Sequence, residues 1–317
     1  MAQVVVSEFM NEAALAPLQE KYSVLFGPKL VDSRSQLLAE MALAEAIIVR
    51  NRTQVDEELL AAAPNLKVVG RLGVGLDNID LEACRQRGIV VHPATGANAL
   101  AVAEYVIASI LVLFRGAYQA RDRMLSGSWP RPDLQGRETS GKRLALVGFG
   151  GIARLVADRA TALGMSVAAH DPYVPADDAA WTAVDRCETL AALLDGADAV
   201  SLHVPLTEGT RHLVNAETLQ TLASGAIVIN TSRGGIVDDT ALATAIREGQ
   251  LSGAALDVFE DEPLTAAGAG IFADLDNLVV TPHVAGLTEE SNSRVSDVTV
   301  LNVLTTLTSK QADQTEM

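Results

Sequence analysis

Short apolar runs alternate along the chain with longer segments that have helical spacing. In the first ninety residues, runs rich in β-branched residues lie at 4–6, 23–26, 46–49, 67–71 and 89–91. Segments with helical periodicity lie between most of them, at 12–20, 35–41, 56–62 and 80–87. This alternation predicts a parallel sheet with helices on both faces. Asp80 has the position of an N-cap, and Gly88 that of the left-handed residue which ends the same helix.

A second series of apolar runs predicts a second sheet. Its six runs lie at 144–147, 165–169, 199–202, 226–230, 253–256 and 278–281. Six parallel strands with crossovers are enough for a complete doubly wound domain. Residues 99–126 are predicted to form one long helix between the two series, and residues from 289 onward a helical tail that packs back on the first domain. The predicted fold class is therefore α/β, with two doubly wound, Rossmann-like domains.

Composition and charge narrow the possible partners. The chain has 317 residues, with 24 Lys and Arg against 40 Asp and Glu, and a net charge of −16. This acidic balance argues against nucleic acid and against an anionic membrane surface as binding partners.

The longest apolar run, 106–114, is far shorter than the ~20 residues of a membrane span. Two isolated cysteines predict neither a disulfide framework nor a metal site. The N-terminal residues lack the basic region of a signal peptide, so we expect a cytoplasmic protein.

One glycine-rich turn has the features of a dinucleotide site. The strand at 144–147 runs into Gly148-Phe149-Gly150-Gly151-Ile152-Ala153 and then into a helix. In such a turn the first glycine permits the tight bend, the second lets a pyrophosphate approach the backbone, and the helix N-terminus binds the phosphates. Asp171 ends the next strand, 23 positions after Gly148, close to the ~20 expected for the carboxylate that binds the adenosine ribose. That carboxylate would repel a 2′-phosphate, so NAD is the predicted cofactor.

A second glycine turn, Gly73-Val74-Gly75, also follows a strand but matches less well. Its sixth position is Asn78, and the following strand ends in His92-Pro93 without a carboxylate. Two alternatives remain for this turn. It is a plain connection between a strand and a helix, or its free N–H groups hold a small anion such as a substrate carboxylate.

Three polar segments follow later strands of the second series. They are 230–235, 257–263 and 281–286, and they contain Arg233, Glu262 and His283. Ligands in open parallel sheets bind beyond the carboxyl ends of the strands, so these segments are expected to converge. An arginine can bind a carboxylate through a fork of hydrogen bonds, a histidine can transfer a proton near neutral pH, and a glutamate can orient the imidazole. Beside a nicotinamide, these groups suffice for reduction of a 2-oxo acid.

The same segments together resemble the D-isomer-specific 2-hydroxyacid dehydrogenase family, and most of all its short bacterial members similar to phosphoglycerate dehydrogenase. The matching blocks are VVGRLGVGLDNID (68–80), LVGFGGIA (146–153), SLHVPLTEGT (201–210), INTSRGGIVD (229–238), ALDVFEDEP (255–263) and TPHVAG (281–286). The resemblance implies an NAD-binding Rossmann domain, 98–288, inserted into a flavodoxin-like substrate domain formed by 1–97 and 289–317. It also implies a homodimer through the 99–126 region.

The resemblance implies a role for individual residues as well. His283 would be the proton donor in reduction, Glu262 its partner, and Arg233 the arginine that binds substrate. Substrate contacts would further include Arg50, Arg52, Val74, Gly75 and Asn98. Cofactor contacts would be Gly148, Gly150, Gly151, Ile152, Asp171, His203, Val204, Pro205, Thr210, Thr231, Ser232, Asp257, His283 and Gly286, with Asp257 at the nicotinamide carboxamide.

The function implied is reversible, NAD-dependent hydride transfer between a 2-hydroxy acid and a 2-oxo acid. Arg50 and Arg52 suggest a second anionic group on the substrate, as in 3-phosphoglycerate or 3-sulfolactate, although both could equally be solvated surface charges. A glyoxylate or hydroxypyruvate reductase is the alternative enzyme, and Asp171 fits poorly with one that prefers NADPH. A scaffold that responds to NAD without physiological turnover is the alternative outside enzymes.

Overall fold

The chain forms two compact units in the computed structural model, which describes residues 3–315. One unit ends at Asn98 and resumes at Leu287, and the other is Ala99–Gly286. Each is built on one parallel sheet flanked by helices, so the predicted α/β class with two doubly wound sheets is confirmed. Within residues 3–315, no helix is long and apolar enough to cross a membrane, and no three His, Cys, Asp or Glu side chains are grouped to hold a metal ion.

The sheet of the first unit has five strands in the order β2-β1-β3-β4-β5. The strands are β1 (Val4–Val6), β2 (Val24–Phe26), β3 (Ala46–Val49), β4 (Val68–Arg71) and β5 (Val90–Pro93), and the helices between them are α1 (Ala16–Gln19), α2 (Arg34–Glu40), α3 (Glu57–Ala62) and α4 (Leu81–Gln86). The predicted ends of α4 are confirmed. The Asp80 carboxylate accepts the Ala83 N–H, and Gly88 has a φ of +67°.

The second unit has seven strands in the order β12-β11-β10-β9-β6-β7-β8. The strands are β6 (Arg143–Val147), β7 (Ser166–His170), β8 (Asp185–Arg186), β9 (Ala199–Leu202), β10 (Ala226–Asn230), β11 (Leu251–Leu256) and β12 (Leu278–Val280). The helices are α5 (Ala99–Arg115), α6 (Arg121–Leu125), α7 (Gly151–Ala162), α8 (Leu190–Leu194), α9 (Ala216–Gln220), α10 (Asp239–Arg247) and α11 (Ala266–Ala269). The strand order reverses between β6 and β9, which is where such sheets bind a dinucleotide.

Two predictions for the second unit were wrong. The sheet has seven strands instead of six, because β8 is a polar pair of residues at the edge that leaves no apolar run to detect. The 99–126 region is not one helix, since α5 ends at Arg115 and Gly116 takes a φ of +59°. Left-handed backbone cannot continue an α-helix, and a 3₁₀ turn (Ala117–Ala120) separates α5 from α6.

The long C-terminal helix α12 (Glu289–Thr315) belongs to the first unit. Val295, Val303 and Leu307 lie in one apolar cluster with Val4 and Ile48 of its sheet. The opposite face of that sheet is covered by side chains from α2 and α3. The strands are apolar at almost every position because both faces are buried in this way.

Candidate active site

Strand β6 runs into a tight glycine turn that leads straight into α7. Gly148 has a φ of +87°, and a Cβ there would lie 2.6 Å from the His203 carbonyl oxygen, so the turn requires glycine. Gly150 is the N-cap of α7, and Cβ atoms built on Gly150 and Gly151 meet no heavy atom within 4 Å. This open space lies over the N-terminal N–H groups of a 12-residue helix, where the helix dipole favours a phosphate.

Asp171 lies next to this turn, as the spacing predicts. Its Oδ2 accepts the Phe149 N–H at 2.8 Å, and its Oδ1 accepts the Tyr173 N–H at 2.9 Å. These two bonds fix the carboxylate beside the glycine turn. An ionised carboxylate has about four acceptor positions, so two remain for the hydroxyls of a ribose.

Two further turns carry the predicted cofactor residues His203, Thr231 and Ser232. Burial lowers the pKa of His203 to about 4, so its imidazole is neutral at neutral pH, and its Nε2 lies 2.9 Å from the Ser201 Oγ. The Ser232 hydroxyl donates to the Leu202 carbonyl. The Thr231 Oγ1 is buried and has no hydrogen-bond partner within residues 3–315. Buried polar atoms are rarely left in that state, so this hydroxyl fits a polar group of a bound cofactor.

The remaining predicted cofactor contacts are spread over the same unit. The Val204 side chain packs against the glycine turn, with its Cγ1 2.9 Å from where a Cβ of Gly148 would lie. The Thr210 Oγ1 donates to the Pro205 carbonyl at 2.6 Å, which closes the loop that follows β9. Ile152 is the second residue of α7, and Gly286 is the last residue of the unit.

Asp257 is buried and holds the segment that carries the predicted catalytic histidine. Its Oδ1 accepts the Thr281 hydroxyl at 2.6 Å and the Val284 N–H at 2.8 Å, and its Oδ2 accepts the Ala285 N–H at 2.8 Å. The Asp257 carbonyl accepts the His283 N–H. The resemblance assigns Asp257 to the nicotinamide carboxamide, whereas both of its oxygens here accept hydrogen bonds from the protein itself.

His283 and Glu262 form the predicted pair. The His283 Nδ1 lies 2.7 Å from the Glu262 Oε2, and the Phe259 N–H donates to the Glu262 Oε1 at 3.1 Å. Partial burial raises the pKa of Glu262, but the hydrogen bond and charge of His283, the Phe259 N–H and the charge of Arg233 together bring that pKa below its usual value. Glu262 is therefore ionised at neutral pH. It favours the Nδ1-protonated imidazole, which leaves Nε2 as the atom that can exchange a proton.

Arg233 comes close to this pair because the two loops that carry them touch. A Cβ on Gly234 would lie 1.7 Å from the Phe259 carbonyl oxygen, so glycine allows the approach. The buried Asn230 side chain shapes the arginine loop, since its Nδ2 donates to the Arg233 carbonyl and its Oδ1 accepts the Ser232 N–H. Arg233, Glu262 and His283 are thus brought together by one unit, as predicted from the ends of three strands.

The first unit carries the second glycine turn. Gly73 has a φ of +140°, and the Arg71 guanidinium occupies the place that a Cβ on Gly73 would need. Within residues 3–315, the N–H groups of Val74 and Gly75 donate no backbone hydrogen bond. The Asn98 Oδ1 is buried and has no partner in the same part of the chain. The two N–H groups are the donors that the anion-binding alternative for this turn requires.

Arg50 and Arg52 follow β3 but are engaged differently. The Arg50 guanidinium donates through Nη1 to two uncharged acceptors, the Phe9 carbonyl at 3.0 Å and the Asn292 Oδ1 at 3.1 Å. The Arg52 guanidinium forms an exposed ion pair with Asp32 at 2.7 Å. Within residues 3–315, the Arg50 guanidinium thus has no carboxylate acceptor, whereas the charge of Arg52 is balanced by Asp32.

Sequence reasoning missed two buried side chains in the first unit. Glu8 is 4% exposed and Asn78 is 7% exposed, and both bind the backbone of residues 50–53. Glu8 lies two residues after the end of β1, and no pattern in the sequence links it or Asn78 to the backbone of residues 50–53.

Comparison with known proteins identifies the family. The model of the "D-isomer specific 2-hydroxyacid dehydrogenase, NAD binding domain" matches residues 107–285. The chain is 59% identical to "(S)-sulfolactate dehydrogenase" of Chromohalobacter salexigens over 96% of its length and 97% of that protein. It is 36% identical to "D-3-phosphoglycerate dehydrogenase" of Methanocaldococcus jannaschii over 94% of its length, but it spans 56% of that protein.

A solved structure agrees with the sequence matches. The D-lactate dehydrogenase from Aquifex aeolicus, complexed with NAD and lactic acid, superposes with a TM-score of 0.83 at 30% identity, covering 98% of this chain and 96% of that one. The glycine turn, Asp171 and the Thr231 hydroxyl fit NAD, and the acid–base group fits hydride transfer at a 2-hydroxy acid. The chain belongs to the D-isomer-specific 2-hydroxyacid dehydrogenase family and is an NAD-dependent oxidoreductase.

Proposed function

We propose that the chain is an NAD-dependent (S)-sulfolactate dehydrogenase that interconverts (S)-sulfolactate and sulfopyruvate. The observation that carries this proposal is the 59% identity with a protein of that name over nearly the full length of both chains. Arg50 at the end of β3 supports it, since its guanidinium has no carboxylate acceptor in the described part of the chain. A sulfonate supplies the second anionic group that such a cation would bind.

The stereochemistry of this substrate agrees with the family. In sulfolactate the carbon that bears sulfur outranks the carboxyl carbon, so the S label belongs to the arrangement that is called D in lactate. An (S)-sulfolactate dehydrogenase and a D-lactate dehydrogenase therefore act on the same hand of the 2-hydroxy acid.

In the proposed mechanism, the acid–base work falls to the second unit. The bound cofactor would supply the hydride acceptor for C2 of the hydroxy acid. The neutral Nε2 of His283 takes the hydroxyl proton, and Glu262 stabilises the resulting imidazolium through the 2.7 Å contact at Nδ1. Arg233 polarises the C2 oxygen and binds the substrate carboxylate. In the reverse direction, His283 returns the proton to the alkoxide. Asp257 fixes the backbone on both sides of His283.

We further propose the anion contacts of the first unit. The N–H groups of Val74 and Gly75 bind the substrate carboxylate, Asn98 donates to the same end of the substrate, and Arg50 binds the sulfonate. Arg52 contributes only by exchanging Asp32 for substrate, because its guanidinium is already paired.

The predicted cofactor residues stay with the second unit in this proposal. Gly148, Gly150, Gly151 and Ile152 bind the pyrophosphate, Asp171 binds the ribose, and the loops at His203, Thr231 and Gly286 border the rest of NAD. A carboxylate at Asp171 disfavours NADP, which also counts against the alternative of a glyoxylate or hydroxypyruvate reductase that prefers NADPH.

We propose a cytoplasmic homodimer that uses the 99–126 region. Tyr118, Leu125 and Trp129 in and after this region are 70%, 72% and 75% exposed, which is unusual for large apolar side chains lying so close in sequence. Both cysteines are free thiols, which is typical of a reducing compartment. Sedimentation of wild type against Leu125→Asp tests the dimer, and a monomeric wild type would contradict it.

The experiment that tests the substrate is NADH formation at 340 nm with a panel of hydroxy acids. The panel contains both enantiomers of sulfolactate, 3-phosphoglycerate, D-lactate and D-glycerate, with NAD and NADP in parallel. We expect the highest kcat/KM for (S)-sulfolactate with NAD. A preference for 3-phosphoglycerate would support a second anionic group on the substrate but contradict sulfolactate as the substrate. A preference for D-glycerate would favour a hydroxypyruvate reductase.

A further inference from the structure

The loop after β3 is built around a buried carboxylate from another strand. Glu8 follows β1, is 4% exposed, and accepts hydrogen bonds from three backbone N–H groups of the loop. Its Oε1 accepts the N–H groups of Arg50 at 2.8 Å and Thr53 at 2.9 Å, and its Oε2 accepts the N–H of Arg52 at 3.2 Å. The carboxylate thus occupies the N–H donors that would otherwise be open at this strand end.

The carbonyl groups of the same loop are held from the opposite side. Asn78, which is 7% exposed, donates through Nδ2 to the Thr53 carbonyl at 2.6 Å and the Arg50 carbonyl at 3.4 Å. Asn78 belongs to the segment that begins with the turn at Val74 and Gly75. One side chain therefore connects the two loops to which the proposed function assigns the substrate anions.

The Glu8 segment also determines where the Arg50 side chain lies. Phe9, the next residue, gives its carbonyl to the Arg50 Nη1, and its ring lies 5.6 Å from the guanidinium carbon. Burial lowers the pKa of Arg50, and the charge of Glu8 raises it. Residues 8 and 9 thus contact both the backbone and the guanidinium of Arg50, and the charge of Glu8 contributes to its electrostatic surroundings.

We propose that Glu8 is a positioning residue for substrate choice: by fixing the 50–53 loop it sets the preference for hydroxy acids that carry a second anionic group. This inference rests on the proposed function, in which Arg50 binds the sulfonate. Glu8 does not touch the reacting atoms, so it is expected to act on KM for one class of substrate and to leave the acid–base step alone.

Glu8→Gln is the variant that tests this role. The amide keeps the size of the side chain and can still accept at Oε1, but its NH₂ group faces the Arg52 N–H and cannot accept it. We expect KM for (S)-sulfolactate to rise about tenfold, the order of one charge-assisted hydrogen bond. We expect kcat, KM for D-lactate and the Kd for NADH to change less than twofold.

The direction of the change in KM distinguishes a positioning role of Glu8 from a purely electrostatic effect of its charge. Removing a negative charge near Arg50 would by itself tighten the binding of an anion, so a lower KM for sulfolactate would overturn the proposal. An equal rise of KM for sulfolactate and D-lactate would also overturn it, because a general structural defect does not distinguish substrates. Glu45→Gln is the matched control. This half-buried carboxylate of the same unit pairs with Lys67, and its loss should leave the ratio of the two KM values unchanged.

A second variant and the activity of the wild-type chain complete the test. If Glu8→Gln does not fold, Asn78→Ala releases the same loop from its carbonyl side, and we expect about a threefold rise in KM for sulfolactate only. No selective rise in that variant would overturn the proposal. A wild-type chain that does not oxidise sulfolactate would overturn the proposed function and this inference together. A wild-type chain that oxidises it, with unchanged selectivity in Glu8→Gln, would overturn this inference alone.

Discussion

The two units differ in how their functional groups are made. In the second unit the candidate reactive groups are side chains that lie close to one another, with Glu262 bound to His283 and the charge of Arg233 acting on the same carboxylate. In the first unit the candidate donors are backbone N–H groups and a guanidinium, and each is placed by residues from elsewhere in the unit. Reaction chemistry can therefore be read from local sequence, whereas anion recognition depends on the supporting side chains.

Removing the acid–base group should have the largest effect. His283→Ala is expected to lower kcat by roughly 10²–10⁴-fold with every substrate, because the proposed mechanism assigns the exchange of the hydroxyl proton to this imidazole. Steady-state NADH formation measures this, and the Kd for NADH should stay within a few fold. His92→Gln, a histidine of the first unit that contacts Thr306, is the control. A variant that retained wild-type kcat would contradict the assignment of His283.

Loss of Arg50, the proposed sulfonate-binding residue, should affect KM for one substrate only. Arg50→Ala is expected to raise KM for (S)-sulfolactate by about 10–100-fold, the order of a lost charge-assisted hydrogen bond, and to leave D-lactate unaffected. Arg34→Ala is the control, since that arginine lies in an ion-pair network with Asp56 and Glu58. Equal losses on both substrates would show that Arg50 maintains the fold and does not read the sulfonate.

The smallest expected effect concerns a buried acid beside the catalytic loop. Burial and the charges of Glu260 and Asp238 raise the pKa of Asp239 to about 6, although the Glu260 N–H and His212 oppose this. As pH rises from about 4 to about 6, the unfolded chain ionises this group before the folded chain does. The folded state therefore loses stability across that window, and the full loss remains at higher pH.

Asp239→Asn should remove this loss and keep the acceptor for the Glu260 N–H. We expect Tm to rise by a few degrees at pH 8 and to stay unchanged near pH 4. Thermal melts at both pH values measure the difference, with Asp185→Asn at an exposed edge position as the control. A fall in Tm at pH 8 would show that the charge of Asp239 stabilises the fold.

The comparison of the two units also explains what could be predicted from sequence. The strands were found to within about two residues because both sheets are buried on both faces and their strands are apolar runs. The polar edge strand β8 was missed for the same reason. The break after Arg115 was missed because helical periodicity continues past Gly116, so this glycine was not recognised as the left-handed residue that ends α5, as Gly88 was for α4.

The residues of the candidate site also differ in how well they could be predicted from sequence. Arg233, Glu262 and His283 could be selected because a scaffold does not need such side chains at three strand ends. Glu8 and Asn78 could not, because their partners are main-chain atoms of residues 50–53, more than twenty positions away in each case. Hydrogen bonds to the backbone carry no sequence signature at the residue that is bound.

The most direct test of this account is the ratio of kcat/KM for (S)-sulfolactate to that for D-lactate, measured in wild type, His283→Ala and Arg50→Ala. We predict a ratio well above one in wild type, the same ratio in His283→Ala at much lower overall activity, and a ratio that falls about 10–100-fold in Arg50→Ala. A wild-type ratio at or below one, or a ratio that survives the loss of Arg50, would contradict the division between reaction chemistry in one unit and recognition of the second anionic group in the other.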